Sequence, residues 1–297
     1  MKNTQKLKQL ASKRDALIVP GAANGLFARV VADLGYEAVY VTGAGVANMQ
    51  YGLPDIGLTT LTEVAQAVTA IADTVDLPLI VDADTGFGNS LNVIRTVRTL
   101  ERAGASAIQL EDQVFPKRCG HFEGKAVVAA SEMVQKIKAA VDARVDGDLL
   151  IIARTDAYAT EGLDAAIERA KTYIEAGADV TFVEAPTDVT QLARISGELS
   201  VPQVANMVFG GRTPEPGQKA LAEMGFGLVL YANASLQAAL KAARDVLHSL
   251  REEGSLSAVG DRLAGFELRQ QAVGKGVWDE LDTRYRVPDA RSSRRRH

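Results

Sequence analysis

The chain has 297 residues, of which 47% are hydrophobic and only 5% aromatic. Its core must therefore be built from Ala, Val, Leu and Ile, as in buried parallel sheets that are flanked by helices. The net charge of −4 gives no electrostatic footprint for nucleic acid. A single cysteine fits a reducing compartment, the first residues lack the apolar run of a secretory signal, and no apolar segment is long enough to span a membrane. We therefore expect a cytoplasmic protein.

Eight short runs rich in β-branched residues alternate with helical patterns along the chain. In chain order the runs cover residues 16–21, 38–43, 77–84, 105–112, 149–156, 179–186, 201–207 and 226–233. The segments between them place apolar residues at i, i+3 and i+4, and Gly35, Gly104 and Gly177 supply glycines that end helices. Eight such units in roughly 250 residues predict a closed (β/α)8 barrel of the TIM type.

A doubly wound nucleotide-binding sheet is the alternative fold. The stretch TGAGVAN after the second run resembles a dinucleotide-binding loop, with Gly43 and Gly45, but Asn48 occupies the third glycine position. That fingerprint also belongs on the first strand of its unit, so the barrel is preferred. We predict one barrel domain over residues 1–290 with a C-terminal helical extension, and a basic, disordered tail over 291–297.

Polar side chains collect where the predicted strands end, which is the active-site face of such barrels. They are Tyr40, Thr42, Asp82, Asp84, Glu111, Asp112, Arg154, Asp156, Glu184, Asn206, Tyr231 and Asn233. Chains turn at strand ends, which explains any one polar residue there. It does not explain so many carboxylates around one arginine, so this face is the predicted active site.

Two of these carboxylates predict a metal site. Asp82 and Asp84 are expected on one strand, two residues apart, so that both point to the same side. A divalent cation relieves their mutual repulsion, and oxygen ligands without histidine or thiolate favour Mg²⁺ or Mn²⁺. Glu111 from the neighbouring strand and Asp55 from the loop YGLPDIG are further candidates. A solvated carboxylate pair without metal is the alternative.

The stretch PKRCGHFEGK, residues 116–125, follows the fourth predicted strand. It holds Cys119, the only cysteine of the chain, and His121, one of three histidines. A loop at this place can close over a barrel active site. Lys117, Arg118 and His121 would stabilise the thiolate of Cys119, which could then move a proton near neutral pH. We predict Cys119 as catalytic and His121 as an orienting residue; the alternative is a surface cysteine without function.

At these residues the chain resembles the isocitrate lyase and phosphoenolpyruvate mutase superfamily. The stretches VDADTGFG, QLEDQVFPKRCGH, IIARTDA and EGLDAAIERAKTYIEAGAD carry the likeness and look closest to the methylisocitrate lyases. Phosphonomutases of the superfamily lack the cysteine motif, so KRCGH indicates the branch that cleaves carbon–carbon bonds. That branch includes the methylisocitrate lyases, the dimethylmalate lyases and the oxaloacetate hydrolases.

The resemblance has implications for assembly and for the site. It implies a barrel whose last helix is swapped between subunits, a homotetramer built as a dimer of dimers, and a Mg²⁺ requirement. It also implies that Asp82 and Asp84 hold Mg²⁺, with Asp55 and Glu111 in its outer shell. The substrate-binding residues that it implies are Thr42, Gly43 and Ala44, through backbone N–H groups, and Gly120, Arg154, Glu184 and Asn206.

Departures from the methylisocitrate lyase pattern bear on the substrate. Those enzymes carry an arginine where this chain has Gln237 and a second one where the alignment places Phe266. Each lost arginine removes a charge-assisted bond worth about 1.5–3 kcal/mol, so a substrate with two acidic groups fits better than a tricarboxylate. The stretch ANMVFGGRTP looks more like dimethylmalate lyases and oxaloacetate hydrolases. An apolar substituent is expected near Phe209 and Phe122.

Together these residues predict a Mg²⁺-dependent lyase that splits a 2-hydroxy di- or tricarboxylate into an α-oxo acid, such as pyruvate, and a carboxylate. Tyr40 is the candidate base, Arg154 is expected to stabilise negative charge, and Cys119 is expected to protonate carbon. Three alternatives stay open: an oxaloacetate hydrolase, a phosphonopyruvate-type mutase or hydrolase, and a binding protein without activity. The expected partner is a small carboxylate, with no nucleic acid and no membrane.

Overall fold

The computed structural model describes residues 1–118 and 124–287. Contacts divide the chain into two compact units, Met1–Leu240 and a C-terminal unit that begins at Lys241. The predictions for Cys119, Gly120, His121 and Phe122, and for the tail 291–297, fall outside the described residues. Among the residues that are described, no helix combines the length and the apolar character that crossing a membrane requires.

Eight parallel strands form the first unit. They are β1 (Leu17–Ala22), β2 (Val39–Val41), β3 (Leu79–Asp82), β4 (Ala107–Glu111), β5 (Leu150–Thr155), β6 (Val180–Val183), β7 (Val204–Asn206) and β8 (Leu228–Tyr231). Each coincides with one of the eight predicted runs, although β1 extends one residue beyond its run, to Ala22. Their order in the sheet is β6-β5-β4-β3-β2-β1-β8-β7, and a parallel bridge from Thr181 to Gln203 joins the two ends. The predicted (β/α)8 barrel is confirmed, and the doubly wound alternative is wrong.

Helices alternate with the strands. They are α1 (Asn3–Ser12), α2 (Gly25–Asp33), α3 (Gly43–Tyr51), α4 (Leu61–Ala72), α5 (Ser90–Ala103), α6 (Ala130–Ala143), α7 (Tyr158–Glu161), α8 (Leu163–Glu175), α9 (Val189–Glu198), α10 (Gln218–Glu223), α11 (Ala234–Glu253), α12 (Phe266–Ala272) and α13 (Lys275–Tyr285). The predicted stop Gly104 follows α5 with φ +109°, a backbone conformation that glycine adopts without strain. Helices α12 and α13 belong to the C-terminal unit.

The strands alternate between two environments, which explains where the site forms. One side of each strand fills the barrel, with residues such as Ile80, Ile152 and Phe182, while the other side packs against the surrounding helices. Because side chains repeat every two residues along a strand, the interior row continues from Ile80 to Asp82 and from Ile152 to Arg154. The apolar filling of the barrel thus ends in charged groups at the carboxyl ends of the strands.

Strand β1 and the turn after β8 approach each other closely at Gly21. A Cβ atom on Gly21 would lie 1.8 Å from the carbonyl oxygen of Ala232. The carbonyl of Gly21 also accepts a hydrogen bond from Ser235 Oγ at 2.6 Å. The obstructing atom belongs to the backbone, so it cannot move aside as a flexible side chain would. Only glycine allows the barrel to close here.

We predict that Gly21→Ala lowers the free energy of unfolding by about 3 kcal/mol, because overpacking against backbone strains both strands. The matched control is Gly197→Ala in α9, where an added Cβ meets no described atom within 4 Å. That exchange should be neutral or stabilise by up to about 1 kcal/mol through helix propensity. Urea denaturation of both variants measures the difference. Equal stability of the two variants would contradict the close approach.

Candidate active site

A cavity of about 40 Å³ lies at the carboxyl ends of the strands. Its lining combines carboxylates, cations and a few apolar groups. The lining residues are Tyr40, Thr42, Ala44, Asp55, Asp82, Glu111, Lys117, Arg118, Arg154, Phe182, Glu184, Asn206, Val208, Leu230, Ala232 and Asn233. Most of the predicted site residues that the structure describes therefore come together at one place.

The two predicted metal ligands, Asp82 and Asp84, lie close together, although they do not lie on one strand as predicted. Strand β3 ends at Asp82, and Asp84 adopts the left-handed conformation with φ +47°, so the prediction that both lie on one strand is wrong. The chain turns at this point, where the N–H of Gly86 donates to the carbonyl of Ala83. A Cβ on Gly43 would lie 3.1 Å from Asp82 Oδ2 and 3.4 Å from Asp84 Oδ1. Both carboxylates thus face the first residue of α3.

Lys117 places a buried cation among these carboxylates. Its Nζ lies 2.9 Å from Asp84 Oδ1 and donates to Asp55 Oδ1, while only 4% of its side chain is exposed. Burial alone would lower the pKa of Lys117, but Asp84, Glu111, Asp55 and Asp82 raise it well above the usual value. The ammonium therefore keeps its charge. The sequence predicted that Lys117 acts on the neighbouring thiol, whereas in the structure it contacts the carboxylates.

Two carboxyl groups of the site bind protons more tightly than usual. Burial raises the pKa of Asp84 to about 6, against the opposing effect of Lys117. Burial also raises the pKa of Glu111 well above its ordinary value, with Arg154 opposing the shift. Among the described residues, Glu111 Oε1 and Asn206 Oδ1 are buried without a hydrogen-bond partner. Buried oxygens of this kind are available to a ligand.

The donor set fits a hard cation. Asp82, Asp84 and Glu111 supply carboxylate oxygens, which are the ligands that Mg²⁺ prefers. No group of three or more His, Cys, Asp or Glu is arranged to hold a metal within 1–118 and 124–287, and the Nζ of Lys117 lies between Asp55 and Asp84. The residues match Mg²⁺ in kind, and the ammonium of Lys117 stands where positive charge is needed.

Arg154 on β5 is surrounded by three carboxyl groups. Its Nε donates to Asp156 Oδ2 at 2.9 Å and one terminal nitrogen donates to Asp156 Oδ1 at 3.1 Å. Glu111 and Glu184 approach the guanidinium at 3.4 and 3.3 Å, and its carbon lies 5.1 Å from the ring centre of Phe182. Burial would lower the pKa of Arg154, but the three carboxylates raise it well above its usual value. Arg154 is thus a fixed cation in the cavity wall.

Asp156 joins this arginine to the strand behind it. Lys125 Nζ donates to Asp156 Oδ1 at 2.8 Å, and the N–H of Asp156 donates to Asp112 Oδ1 at 2.9 Å. Burial would raise the pKa of Asp156, but Arg154 and Lys125 hold it at about 2. Tyr173 of α8 donates to Asp112 Oδ2 at 2.8 Å. Asp112, one of the polar strand ends, therefore supports the site from outside the barrel.

Tyr40 lies at the bottom of the cavity as a hydrogen-bonded phenol. Its hydroxyl accepts from Gln109 Nε2 at 3.0 Å and is close to the carboxylate of Asp82. Burial and then Asp82 raise the pKa of Tyr40 well above 10, so the phenol keeps its proton near neutral pH. A general base needs the phenolate, which these surroundings disfavour. The role of Tyr40 as base stays a prediction.

The start of α3 lies at the cavity, which Thr42 and Ala44 line. Thr42 is the N-cap, and its Oγ1 accepts from the N–H of Gly45 at 3.2 Å and lies 3.3 Å from Asn233 Oδ1. Gly43 and Ala44 follow in the first helical turn, where N–H groups have no partner within a helix. The helix dipole favours negative charge at such an end. The geometry is therefore suited to a carboxylate, as the resemblance implies.

Phe209 and Gln237, which were expected to bear on substrate specificity, are not among the residues that line the cavity. Phe209 is 91% exposed, and the preceding Val208 lines the cavity instead. The expectation of an apolar substituent near Phe209 stays a prediction, since Val208 and not Phe209 lines the cavity. Gln237 donates to the carbonyl of Phe209 at 3.4 Å. Phe266 belongs to the C-terminal unit.

Sequence reasoning missed three side chains that complete the site. Gln109 precedes Glu111 by two residues on β4, so strand alternation could have identified it. Asn233 was named only as a strand end, yet it lines the cavity beside Thr42. No local pattern marks Lys125 as a partner of Asp156, because the two are 31 residues apart and meet only in the folded barrel.

Comparison with known proteins gives consistent relationships. A family model described as phosphoenolpyruvate phosphomutase matches residues 7–251. The 2,3-dimethylmalate lyase of Eubacterium barkeri is 42% identical over 285 residues, which cover 96% of this chain and 99% of that protein. The 2-methylisocitrate lyase of Aeropyrum pernix is 45% identical over 257 residues, which cover 86% of this chain and 82% of that protein.

Solved structures agree in fold over nearly the whole chain. An oxaloacetate acetylhydrolase in complex with the inhibitor 3,3-difluorooxalacetate has a TM-score of 0.90 and 34% identity, and the match covers 95% of this chain and 96% of that one. A 2,3-dimethylmalate lyase has a TM-score of 0.90 and 33% identity, with 96% and 95% covered. A phosphonopyruvate hydrolase complex with oxalate and Mg²⁺ has a TM-score of 0.87, 30% identity, and 96% and 99% covered. The chain therefore belongs to the phosphoenolpyruvate mutase/isocitrate lyase superfamily, as the motifs around Asp82, Cys119 and Arg154 predicted.

Proposed function

We propose that the protein is a Mg²⁺-dependent carbon–carbon lyase that cleaves a 2-hydroxy dicarboxylate, such as an alkylated malate, into an α-oxo acid and a carboxylate. One observation carries the proposal: the start of α3, the cation of Arg154 and the carboxylate of Asp82 line a single cavity, and Asp84 lies beside Asp82 against Gly43. Such a site can hold an acid at one end and a metal at the other. The 2,3-dimethylmalate lyase that matches 96% of the chain supports this substrate class.

Asp82 and Asp84 would hold the metal, with Asp55 and Glu111 in its outer shell. The phosphonopyruvate hydrolase that was crystallised with oxalate and Mg²⁺ supports this assignment, because it shares the fold over 96% of this chain. Bound Mg²⁺ supplies a Lewis acid that polarises the oxygens of an α-oxo acid. The ammonium of Lys117 contacts Asp55 and Asp84, so Lys117 and a divalent cation would compete for these carboxylates.

The remaining residues bind and orient the substrate. The N–H groups of Gly43 and Ala44 would hold one carboxylate at the start of α3. Asn206 Oδ1 is buried without a hydrogen-bond partner among the described residues, so it can accept a hydrogen bond from the substrate. Arg154 would stabilise negative charge on the fragment that leaves, and Glu184, which lies beside Arg154, would contact the substrate.

Cys119 and Tyr40 are given roles in the reaction on different grounds. Cys119 is proposed to protonate the carbon that becomes free, with His121 orienting it and Gly120 contacting the substrate, on the strength of the motif KRCGH alone. Tyr40 is proposed to donate a hydrogen bond next to Asp82, because the phenol keeps its proton in this environment. Tyr40 stays the candidate for the base that removes the hydroxyl proton, and the resting phenol would first have to lose its own proton.

An oxaloacetate hydrolase is the second candidate. The oxaloacetate acetylhydrolase complex matches this fold with a TM-score of 0.90, equal to that of the dimethylmalate lyase. The same acid-binding elements serve both reactions, and the hydrolase must in addition admit a water molecule. The phosphonate reactions rank lower, since a thiol in the loop gives them no advantage.

We also propose a cytoplasmic homotetramer with the last helix swapped between subunits. None of the described residues of α11 is buried, and Leu240 and Leu247 of this helix are largely exposed. In the C-terminal unit, Phe266 and Trp278 are also exposed to solvent. Large apolar side chains that are exposed together mark protein–protein contacts. A second copy of the chain that exchanges α11 with the first would cover these apolar side chains.

The metal assignment predicts a pH-dependent stabilisation. Burial raises the pKa of Asp84 to about 6, so protons compete with Mg²⁺ below that pH and not above it. In the metal-free protein the folded state binds this proton more tightly than the unfolded chain does, so stability falls as the pH rises from about 4 to 6. Mg²⁺ should therefore raise the Tm more at pH 8 than at pH 5. Thermal unfolding with and without Mg²⁺ measures this effect.

Asp84→Asn should lose most of the Mg²⁺-dependent shift together with turnover. The control is Asp148→Asn, a carboxylate that pairs with Lys8 away from the cavity, and it should respond to Mg²⁺ as the wild type does. Full turnover in EDTA, with metal analysis finding none bound, would refute the assignment.

The thiol can be tested selectively, because Cys119 is the only cysteine of the chain. Alkylation with iodoacetamide should abolish cleavage in proportion to the label incorporated. Cys119→Ser should fold and bind the α-oxo acid but lose most turnover, because a hydroxyl is a far weaker acid than a thiol. Its residual activity should resist the reagent. Cleavage by Cys119→Ser at the wild-type rate would show that another group delivers the proton.

Substrate preference provides the direct test of the function. We expect alkylated malates or oxaloacetate to exceed 2-methylisocitrate in kcat/KM by at least about tenfold, which corresponds to about 1.4 kcal/mol of transition-state binding. The measurement is the α-oxo acid released from each member of the panel. Gln237→Arg should reduce this difference in kcat/KM by offering a cation to a third carboxylate. The control is Gln5→Arg, which adds the same charge on α1. If 2-methylisocitrate is the best substrate, the dicarboxylate assignment fails.

A further inference from the structure

The cation of Arg154 has more negative charge around it than it can balance alone. Asp156, Glu111 and Glu184 all lie within 3.4 Å of its guanidinium. A cation that is neutralised so thoroughly by its own protein attracts an anionic substrate weakly. For Arg154 to serve a negatively charged ligand, part of this negative charge must be offset by another group.

Lys125 is the group placed to do this. Its Nζ donates to Asp156 Oδ1 at 2.8 Å, and the same oxygen accepts from Arg154 at 3.1 Å. Lys125 is only 3% exposed and Asp156 is fully buried, so solvent screens the pair very little. One carboxylate is thus shared between two buried cations, and only one of them lines the cavity.

The position of Asp156 does not depend on Lys125. Its backbone N–H donates to Asp112 Oδ1 at 2.9 Å, and Asp112 is itself held by the hydroxyls of Thr155 at 2.7 Å and Tyr173 at 2.8 Å. The main chain that carries the carboxylate of Asp156 is therefore held in place without Lys125. Replacing Lys125 would therefore remove one of the two cations that contact this carboxylate while its backbone anchor remains.

We propose that Lys125 is a positioning residue: by sharing Asp156 with Arg154, it orients the guanidinium and leaves the positive charge of Arg154 available to an anionic substrate. Lys125 does not line the cavity, so it acts through Asp156 and not by contact with the ligand. The part that concerns the substrate rests on the proposed function. The part that concerns the orientation of Arg154 does not.

The test uses three replacements of Lys125 and one control in the full-length protein. Lys125→Met removes the charge and the donor, Lys125→Gln keeps a donor without charge, and Lys125→Arg keeps both. The control Arg144→Met breaks another partly buried ion pair, with Asp179 at 2.6 Å, before β5 and away from the cavity. Thermal unfolding of every variant identifies any that fails to fold.

Two readouts separate positioning from general stability. The first is hydrogen exchange of the Arg154 Nε–H, followed by NMR without substrate. Lys125→Met should exchange at least about tenfold faster than wild type, and Lys125→Gln and Lys125→Arg close to wild type. The second is turnover of the best dicarboxylate. Lys125→Met and Lys125→Gln should each lose about tenfold or more in kcat/KM, and Lys125→Arg should recover to within about threefold.

Each outcome decides the proposal. Unchanged exchange and unchanged turnover in Lys125→Met overturn it. An equal loss in Arg144→Met also overturns it, because the effect would then reflect stability alone. If Lys125→Met does not fold, Lys125→Gln decides through its turnover. If the wild type cleaves no member of the panel, the proposed function fails, while exchange at Arg154 still shows whether Lys125 positions it.

Discussion

The burial of unequal charge at the mouth of the barrel is the constraint on which the site depends. Carboxyl groups outnumber cations among the described residues there, and most have little access to water. An isolated charge in such a place would be very costly, so each must be paired or protonated. Lys117 forms ion pairs with Asp55 and Asp84, while Arg154 and Lys125 both form ion pairs with Asp156. The excess negative charge is what a divalent cation would relieve.

This arrangement depends on the barrel beneath it. The apolar rows that fill the interior end in charged residues at one level, because parallel strands in register bring their carboxyl ends together. Gly21 lets β1 approach the turn after β8, and Gly43 lets α3 begin beside two carboxylates. The fold therefore brings acids from β3, β4 and β6 into one small volume. Few other arrangements would expose so many neighbouring strand ends to one ligand.

The sequence predicts the strands well and the directions of side chains beyond them poorly. All eight strands follow from runs of β-branched residues, since such runs fit only a sheet that is covered on both faces. Glu111 and Asp112 are adjacent on the chain and so must face opposite ways, which alternation alone reveals. Asp84 could not be placed, because its chain has already left the strand in a left-handed turn.

The two lysines of the loop after β4 were still less predictable. Nothing in the residues around Lys117 or Lys125 tells which carboxylate each will meet, since their partners lie on other βα units. The pattern KRCGH suggested that Lys117 serves the thiol, because the two are close in sequence. In the folded chain Lys117 also meets Asp55 and Asp84, which are far from it in sequence.

These two lysines stand on either side of residues 119–123, and each is bound by a buried aspartate. The electrostatic balance at the mouth of the barrel therefore depends on two residues that flank this stretch. Related proteins could differ in the five residues between these two lysines while the ion pairs of Lys117 with Asp84 and of Lys125 with Asp156 stay in place. The residues that could vary, 119–123, are thus separate along the chain from the two lysines that balance the buried charge.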